Sequence, residues 1–161
     1  MATYAALQNH LVVPLASFTR WRPSRPITRE VAVLVLAEQP MARIGTPWLA
    51  PDREELRGQT EASFDDFIEN GRPPFGLFKA TFGRTGIAQM EVLAPKPGVR
   101  LFGGFADPQC FVGLRLFQRD DLPFKPTGQK GVVDYRTLGA MLLAEWQAAL
   151  PGIAPMPIED L

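Results

Sequence analysis

The residue types that most often perform chemistry are scarce in this 161-residue sequence. His10 is its single histidine and Cys110 its single cysteine, so no histidine metal cluster and no credible serine–histidine–acid triad is expected. Cys110 opens an apolar run, which predicts an inert core thiol. No GxxxxGK phosphate loop occurs, and we expect neither a metal nor a cofactor. What remains is chemistry by arginine, lysine and tyrosine, or no chemistry.

The charged residues are unevenly distributed, although the net charge is zero. Residues 1–71 carry 7 basic and 9 acidic side chains, residues 72–136 carry 10 and 5, and residues 137–161 carry none and 3. A basic middle segment could form a face for anionic ligands, because charge concentrated on one surface attracts phosphates even when the total is zero. It equally fits a solvated sheet with lysine and arginine at its edges.

A second basic segment runs from Thr19 to Arg29 and holds four arginines, one tryptophan and two prolines. Guanidinium groups pair with phosphates and an indole ring stacks on bases, so Arg20 and Arg22 are candidates for nucleic-acid binding. The same composition is typical of a surface loop with cation–π packing around Trp21.

The clearest predicted element is a helix over residues 52–70, with Pro51 and Asp52 suited to its start and Gly71 to its end. Its helically spaced apolar stripe, which we expect to pack on a sheet, consists of Leu56, Thr60, Phe64, Phe67 and Ile68. The opposite face, expected to be solvated, carries Glu61, Asp65, Asp66 and Glu69.

Apolar runs joined by short loops predict an antiparallel meander of about four strands after this helix. The runs are Phe75–Phe82, Ile87–Leu93 and the two halves of Val99–Arg119, whose turn at residues 106–109 contains Asp-Pro. A final helix is predicted over residues 135–150, with its apolar stripe in the core.

The sequence therefore predicts an α+β fold in a single domain of 161 residues. Residues 1–51 form an irregular N-terminal extension, residues 52–150 a helix–sheet–helix core, and residues 151–161 an extended tail. Within the extension, the apolar run Glu30–Glu38 favours a buried strand without excluding a helix.

No window approaches the roughly 18 uninterrupted apolar residues of a membrane span, and the N-terminus lacks the basic and apolar regions of a leader. A single cysteine cannot form an internal disulfide. We expect a cytoplasmic protein without membrane contact.

The order of elements resembles the RelE/HigB/ParE-like toxin superfamily. The likeness covers about residues 52–150 and depends on the helix, the stretch GIAQMEVLAPKPGVRLFGGFADPQCFVGLRLFQR, a polar loop and the final helix. In these toxins an acidic or mixed helix precedes an antiparallel sheet. One strand begins with a motif like Gly98-Val99-Arg100-Leu101-Phe102, and the next strand ends in basic residues.

The resemblance implies a metal-independent endoribonuclease that cleaves messenger RNA on the ribosome through arginine, lysine and tyrosine groups. RNA or the ribosome and a protein antitoxin would then be its partners. The implied phosphate ligands on the sheet are Arg100, Arg115 and Arg119. The implied contributors from the loop and the last helix are Lys125, Lys130 and Tyr135, with Tyr135 in the catalytic set and the two lysines binding nucleic acid.

Two alternatives remain open beside this interpretation. The chain could be a non-catalytic interaction protein, phage-associated or a complex subunit, whose apolar surface includes Trp21, Trp48, Phe75, Phe124 and the proline-rich tail. The sheet arginines could also be engaged in surface salt bridges of little energetic value. A toxin requires Arg100, Arg115 and Arg119 on one open concave face, whereas an interaction protein predicts dispersed arginines and a large exposed apolar patch.

Overall fold

A computed structural model describes residues 18–45, 51–71, 78–79, 82, 85–96, 98–118 and 135–161. The strands are β1 (Thr19–Arg20), β2 (Val33–Leu36), β3 (Phe78–Lys79), β4 (Ile87–Val92), β5 (Val99–Asp107) and β6 (Cys110–Gln118). The helices are α1 (Glu38–Gly45), α2 (Pro51–Asn70) and α3 (Tyr135–Ala149), and one turn of 3₁₀ helix follows at Ile158–Asp160. The predicted α+β class and both long helices are confirmed.

These strands form one mixed sheet in the order β1-β2-β6-β5-β4-β3. Strands β3 to β6 are the predicted antiparallel meander, although β3 is described only at Phe78–Lys79. The sheet is larger than predicted, because β2 adds to β6 in parallel and β1 pairs antiparallel with β2. The N-terminal extension therefore supplies two strands: β2 confirms the buried strand favoured within Glu30–Glu38, and β1 was not predicted.

Helices cover both faces of the sheet, which explains why β2 and β4 are buried along their whole length. Leu34 and Leu36 point to the face covered by α2, whereas Val33 and Val35 point to the face covered by α3. The α2 core contains Leu56, Phe64, Phe67, Ile68, Met90, Leu101, Phe105 and Phe111. The α3 core contains Ile87, Phe102, Val112, Leu114, Leu138, Leu142 and Trp146.

The arginine- and tryptophan-containing segment after β1 lies against α2. The Trp21 ring packs edge-to-face on Phe64 with 5.3 Å between centroids, and its indole N–H donates to Asp65 Oδ1 at 3.0 Å. Asp65 also accepts from the hydroxyl of Ser24 at 2.9 Å. The expectation that Asp65 is solvated is therefore wrong: it is buried because a segment 41 residues earlier covers it.

The strand β2 is shorter than β6, and a side chain replaces the missing backbone pairing. Leu36 pairs with Gly113 at the last register position of β2. Beyond it, Gln39 Nε2 donates to the Leu116 carbonyl at 2.9 Å, and the Leu116 N–H donates to Gln39 Oε1 at 2.7 Å. The amide of Gln39 thus meets both hydrogen-bonding groups of Leu116 and fixes α1 against the sheet.

The C-terminal tail crosses the ends of β4 and β5. Trp146 Nε1 donates to the Ile153 carbonyl at 2.7 Å, and the Met156 N–H donates to the Phe105 carbonyl at 2.8 Å. Gly86, at φ +82°, makes this approach possible, since a Cβ there would lie 2.1 Å from the Pro155 carbonyl oxygen. Because Ile153 packs on the α3 core and Met156 on the α2 core, the tail connects the two cores.

Candidate functional site

Several residues singled out in the sequence lie beyond what the structure describes. Arg119, Lys125 and Lys130 fall outside the described residues. Tyr135 is described only as the first backbone position of α3. The structure therefore places Arg100 and Arg115 from the implied catalytic set, and Arg20 and Arg22 from the nucleic-acid-binding set.

Arg100 and Arg115 lie on the same face of the sheet, the one covered by α3. Arg100 is opposite Phe117 and Phe102 is opposite Arg115 in the β5–β6 register. The two arginines are therefore diagonal neighbours in a checkerboard with two phenylalanines. The rings of Phe102 and Phe117 are 6.2 Å apart along the other diagonal and lie between the arginines.

Arg100 is part of a buried polar row on β4 and β5. Its Nε lies 3.3 Å from Glu91 Oε1, and its Nη1 donates to the Val99 carbonyl at 3.1 Å. Gln89 Nε2 donates to the same Glu91 oxygen at 2.9 Å. Arg100 is only 9 % exposed, so it does not project to an open face as the toxin interpretation requires. The buried ion pair between Arg100 and Glu91 links strands β5 and β4. Arg100 cannot approach a polynucleotide without breaking that pair.

Arg115 is more accessible, with 39 % of its side chain exposed. Its Nε lies 3.1 Å from both carboxylate oxygens of Glu145, and its Nη2 donates to Oε1 at 2.9 Å. This contact raises the pKa of Arg115 above its already high ordinary value, so the side chain stays charged. Glu145 fixes the plane of the guanidinium group and leaves Nη1 without a partner among the described residues.

An open cleft of about 520 Å³ lies beside Arg115, between α1, β6 and the C-terminal half of α3. Its lining residues are Phe18, Ala37, Glu38, Gln39, Ala42, Leu114, Arg115, Glu145 and Ala149. Gln39 positions the α1 wall through its two bonds to Leu116, and the ion pair with Glu145 positions Arg115. The cleft therefore combines apolar surface, a hydrogen-bond donor at Arg115 and a carboxylate at Glu38.

The residues of the N-terminal basic segment, Thr19–Arg29, are not among those that line the cleft. Arg20 forms an ion pair with Glu30, and Arg22 is exposed. The ring of Trp21 is engaged by Phe64 and Asp65. Nearby, Arg25 pairs with Asp66 at 3.1 Å and with Glu69 at 2.7 Å, a surface arrangement that holds the segment on α2.

Most of the residues expected to form the apolar surface of an interaction protein lie outside the described residues. Trp48, Phe75 and Phe124 lie in undescribed stretches, and Trp21 is half-buried. Among the described residues, the large apolar side chain that is exposed is Leu93, at 60 %. A large apolar patch is therefore not observed in the part of the chain that the structure describes.

Two further observations concern metal ligands and the thiol. No group of three histidine, cysteine or acidic side chains that could hold a metal occurs within the described ranges. Cys110 is fully buried, and burial raises the pKa of its thiol to about 12. The thiol is therefore protonated and shielded at neutral pH.

Three residues that line the cleft were not singled out from the sequence. Glu38 and Gln39 lie at the end of the apolar run, where the sequence indicates only that a strand or helix ends. Glu145 lies 30 residues after Arg115, so the sequence does not indicate that the two are in contact. A faint signal existed for Glu145, since it is the single acidic residue in a helix otherwise occupied by apolar and neutral side chains and Arg136.

No helix within the described ranges is long and apolar enough to cross a membrane. In comparisons with known proteins, no family model, no curated protein and no solved structure matches this chain.

Proposed function

We propose that this chain is a non-catalytic binding protein that recognises a segment of a protein partner in the cleft beside Arg115. The observation that supports this function is the state of Arg115. Glu145 holds it from one side through Nε and Nη2, and within the described residues no hydrogen bond occupies Nη1 of this cleft-lining arginine. An arginine fixed in this way is a preorganised donor for a carbonyl group, because little side-chain entropy remains to be lost.

The composition of the cleft fits a polypeptide segment. Its size lies within the range of ligand-binding clefts. Ala37, Ala42 and Ala149 provide accessible apolar surface, Arg115 provides a donor and Glu38 an acceptor. A peptide presents carbonyl oxygens, N–H groups and side chains in close succession, so it can satisfy all three kinds of group.

The same geometry argues against a free metal-independent ribonuclease. Phosphoryl transfer without a metal depends on cations that contact the phosphate as charge develops. Arg100 is buried against Glu91, and Arg115 is already neutralised by Glu145. A polyanion would have to displace Glu91 to reach Arg100, and at Arg115 it would lie beside the like-charged carboxylate of Glu145.

A photo-crosslinking experiment tests this proposal in cells. A benzoylphenylalanine replaces Ala42, which lines the cleft, and in a matched control it replaces Ala140, which is exposed on α3 away from the cleft. We expect irradiation to give a discrete adduct from position 42 but not from position 140. The adduct should resist nuclease, be degraded by protease, and weaken when Arg115→Leu is added.

Two results would overturn the proposal. One is the absence of a specific adduct at position 42. The other is a nuclease-sensitive adduct together with growth arrest and RNA loss on expression, both abolished by Arg115→Leu, which would favour the RNA-acting toxin instead.

A further inference from the structure

The charged groups lining the cleft do not balance. Glu38 and Glu145 contribute two negative charges and Arg115 one positive charge, so the described lining carries a formal charge of −1. Arg115 is committed to Glu145 by a bidentate contact. The remaining charge is that of Glu38, which is exposed at the start of α1.

The helix ends at the cleft do not alter this balance. The N-terminus of α1, at Glu38, carries a partial positive charge, while the C-terminal end of α3, at Ala149, carries a partial negative charge of similar size. The last turn of α3 contains no basic residue to offset its end. The two ends oppose one another, so the formal charge of −1 on the described lining is not offset by them.

We infer that the partner segment inserts a basic side chain, arginine or lysine, flanked by apolar residues. This inference rests on the proposed function and specifies the chemistry of the partner. The cationic head meets Glu38 and the C-terminal end of α3, and the methylene stem lies along apolar surface such as Ala42. Arg115 Nη1 donates to a carbonyl oxygen of the same segment, and the like charges of the two cations are kept apart by Glu145.

Capped pentapeptides test the charge preference directly. The probe has a central arginine between two leucines, and the comparison peptides carry citrulline or glutamate at the centre. Citrulline matches the shape and most donors of arginine but is neutral. Binding to the whole protein is followed by NMR through the backbone amide signals of Ala42, Leu114 and Ala149.

We expect the arginine peptide to shift these signals and to bind about three-fold or more tightly than the citrulline peptide, the ratio that one exposed ion pair provides. Glu38→Gln should bring the arginine peptide down to the affinity of the citrulline peptide. Glu159→Gln, an exposed position that does not line the cleft, should change neither affinity.

A second pair of variants changes the charge without removing a native group. Ala42→Lys brings the cleft to a formal charge of zero and Ala42→Glu brings it to −2, with side chains of similar length. The affinity for the arginine peptide should be lower with lysine than with glutamate, and that for the citrulline peptide should be the same with both. Thermal unfolding of each variant confirms that the fold is retained.

The inference is overturned if the citrulline or glutamate peptide binds as tightly as the arginine peptide. It is also overturned if no peptide shifts the cleft signals at millimolar concentration. Its failure is distinguishable from failure of the proposed function, because a nuclease-resistant protein adduct at position 42 would still show partner binding at the cleft.

Discussion

The approach of the C-terminal tail to the sheet predicts unequal effects of the same substitution at three glycines. Gly86 has φ +82° and no room for a Cβ, which would lie 2.1 Å from the carbonyl oxygen of Pro155. Gly152 has nearly the same backbone conformation, φ +81°, but nothing lies within 4 Å of its Cβ position. Gly58 lies inside α2, also with nothing within 4 Å.

The structure separates the energetic contributions. Gly152→Ala introduces only the left-handed backbone strain, about 1 kcal/mol. Gly86→Ala adds a clash of about 1–3 kcal/mol, and the tail must move by roughly 1 Å to relieve it. That movement weakens the bond from Met156 N–H to the Phe105 carbonyl, worth about 1 kcal/mol. We therefore expect Gly86→Ala to lower the free energy of unfolding by about 3–5 kcal/mol.

Gly58→Ala should instead raise the free energy of unfolding by about 0.5–1 kcal/mol, because alanine restricts the unfolded chain and suits a helix. Urea unfolding followed by far-UV circular dichroism gives all three values. Thermal unfolding should show a decrease in Tm of about 10 °C for Gly86→Ala. Equal losses for Gly86→Ala and Gly152→Ala would refute the reasoning, because they would mean that the tail does not pack against Gly86.

Three further predictions concern buried polar groups. Gln39→Ala leaves both backbone groups of Leu116 without their partner, so we expect a loss of about 1–3 kcal/mol in urea unfolding and faster hydrogen exchange at the Leu116 amide; unchanged exchange would contradict the pairing. Asp65→Ala removes the acceptor of the Trp21 indole and should cost about 2–3 kcal/mol, with Trp21 becoming more exposed to fluorescence quenchers. Burial raises the pKa of Cys110 from 9.0 to about 12, so its contribution to stability is complete below pH 9 and is lost as the pH rises towards 12. Cys110→Val should flatten this part of the stability profile, and the native thiol should not react with a disulfide reagent at pH 8.

The secondary-structure elements that depend on local residue spacing could be predicted from the sequence. The apolar stripe of α2 follows from residue spacing, and β6 from its apolar run, and both elements are found where predicted. The parallel addition of β2 to β6 does not follow in this way, because Val33–Leu36 is apolar at every position and shows no preferred face. The sequence of a strand that is buried on both faces therefore does not indicate which strand it pairs with.

The candidate site was only partly predictable for a related reason. Arg115 could be selected from its position in β6, but its partner Glu145 belongs to a helix and lies 30 residues later in the chain. The burial of Arg100 depends on the β4–β5 register, which places Glu91 directly opposite. Burial of Asp65 likewise depends on Ser24 and Trp21, which are distant in sequence. These pairings are tertiary contacts between residues far apart in the chain, and residue spacing alone does not predict them.

The side chain of Gln39 has a consequence for the solution behaviour of the protein. Where β2 ends, the outer edge of β6 presents the N–H and carbonyl of Leu116, and one amide covers both. Uncovered groups of this kind are a template on which a strand of another molecule can add. Gln39 therefore blocks edge-to-edge pairing at this position, and its loss should promote self-association that increases with protein concentration.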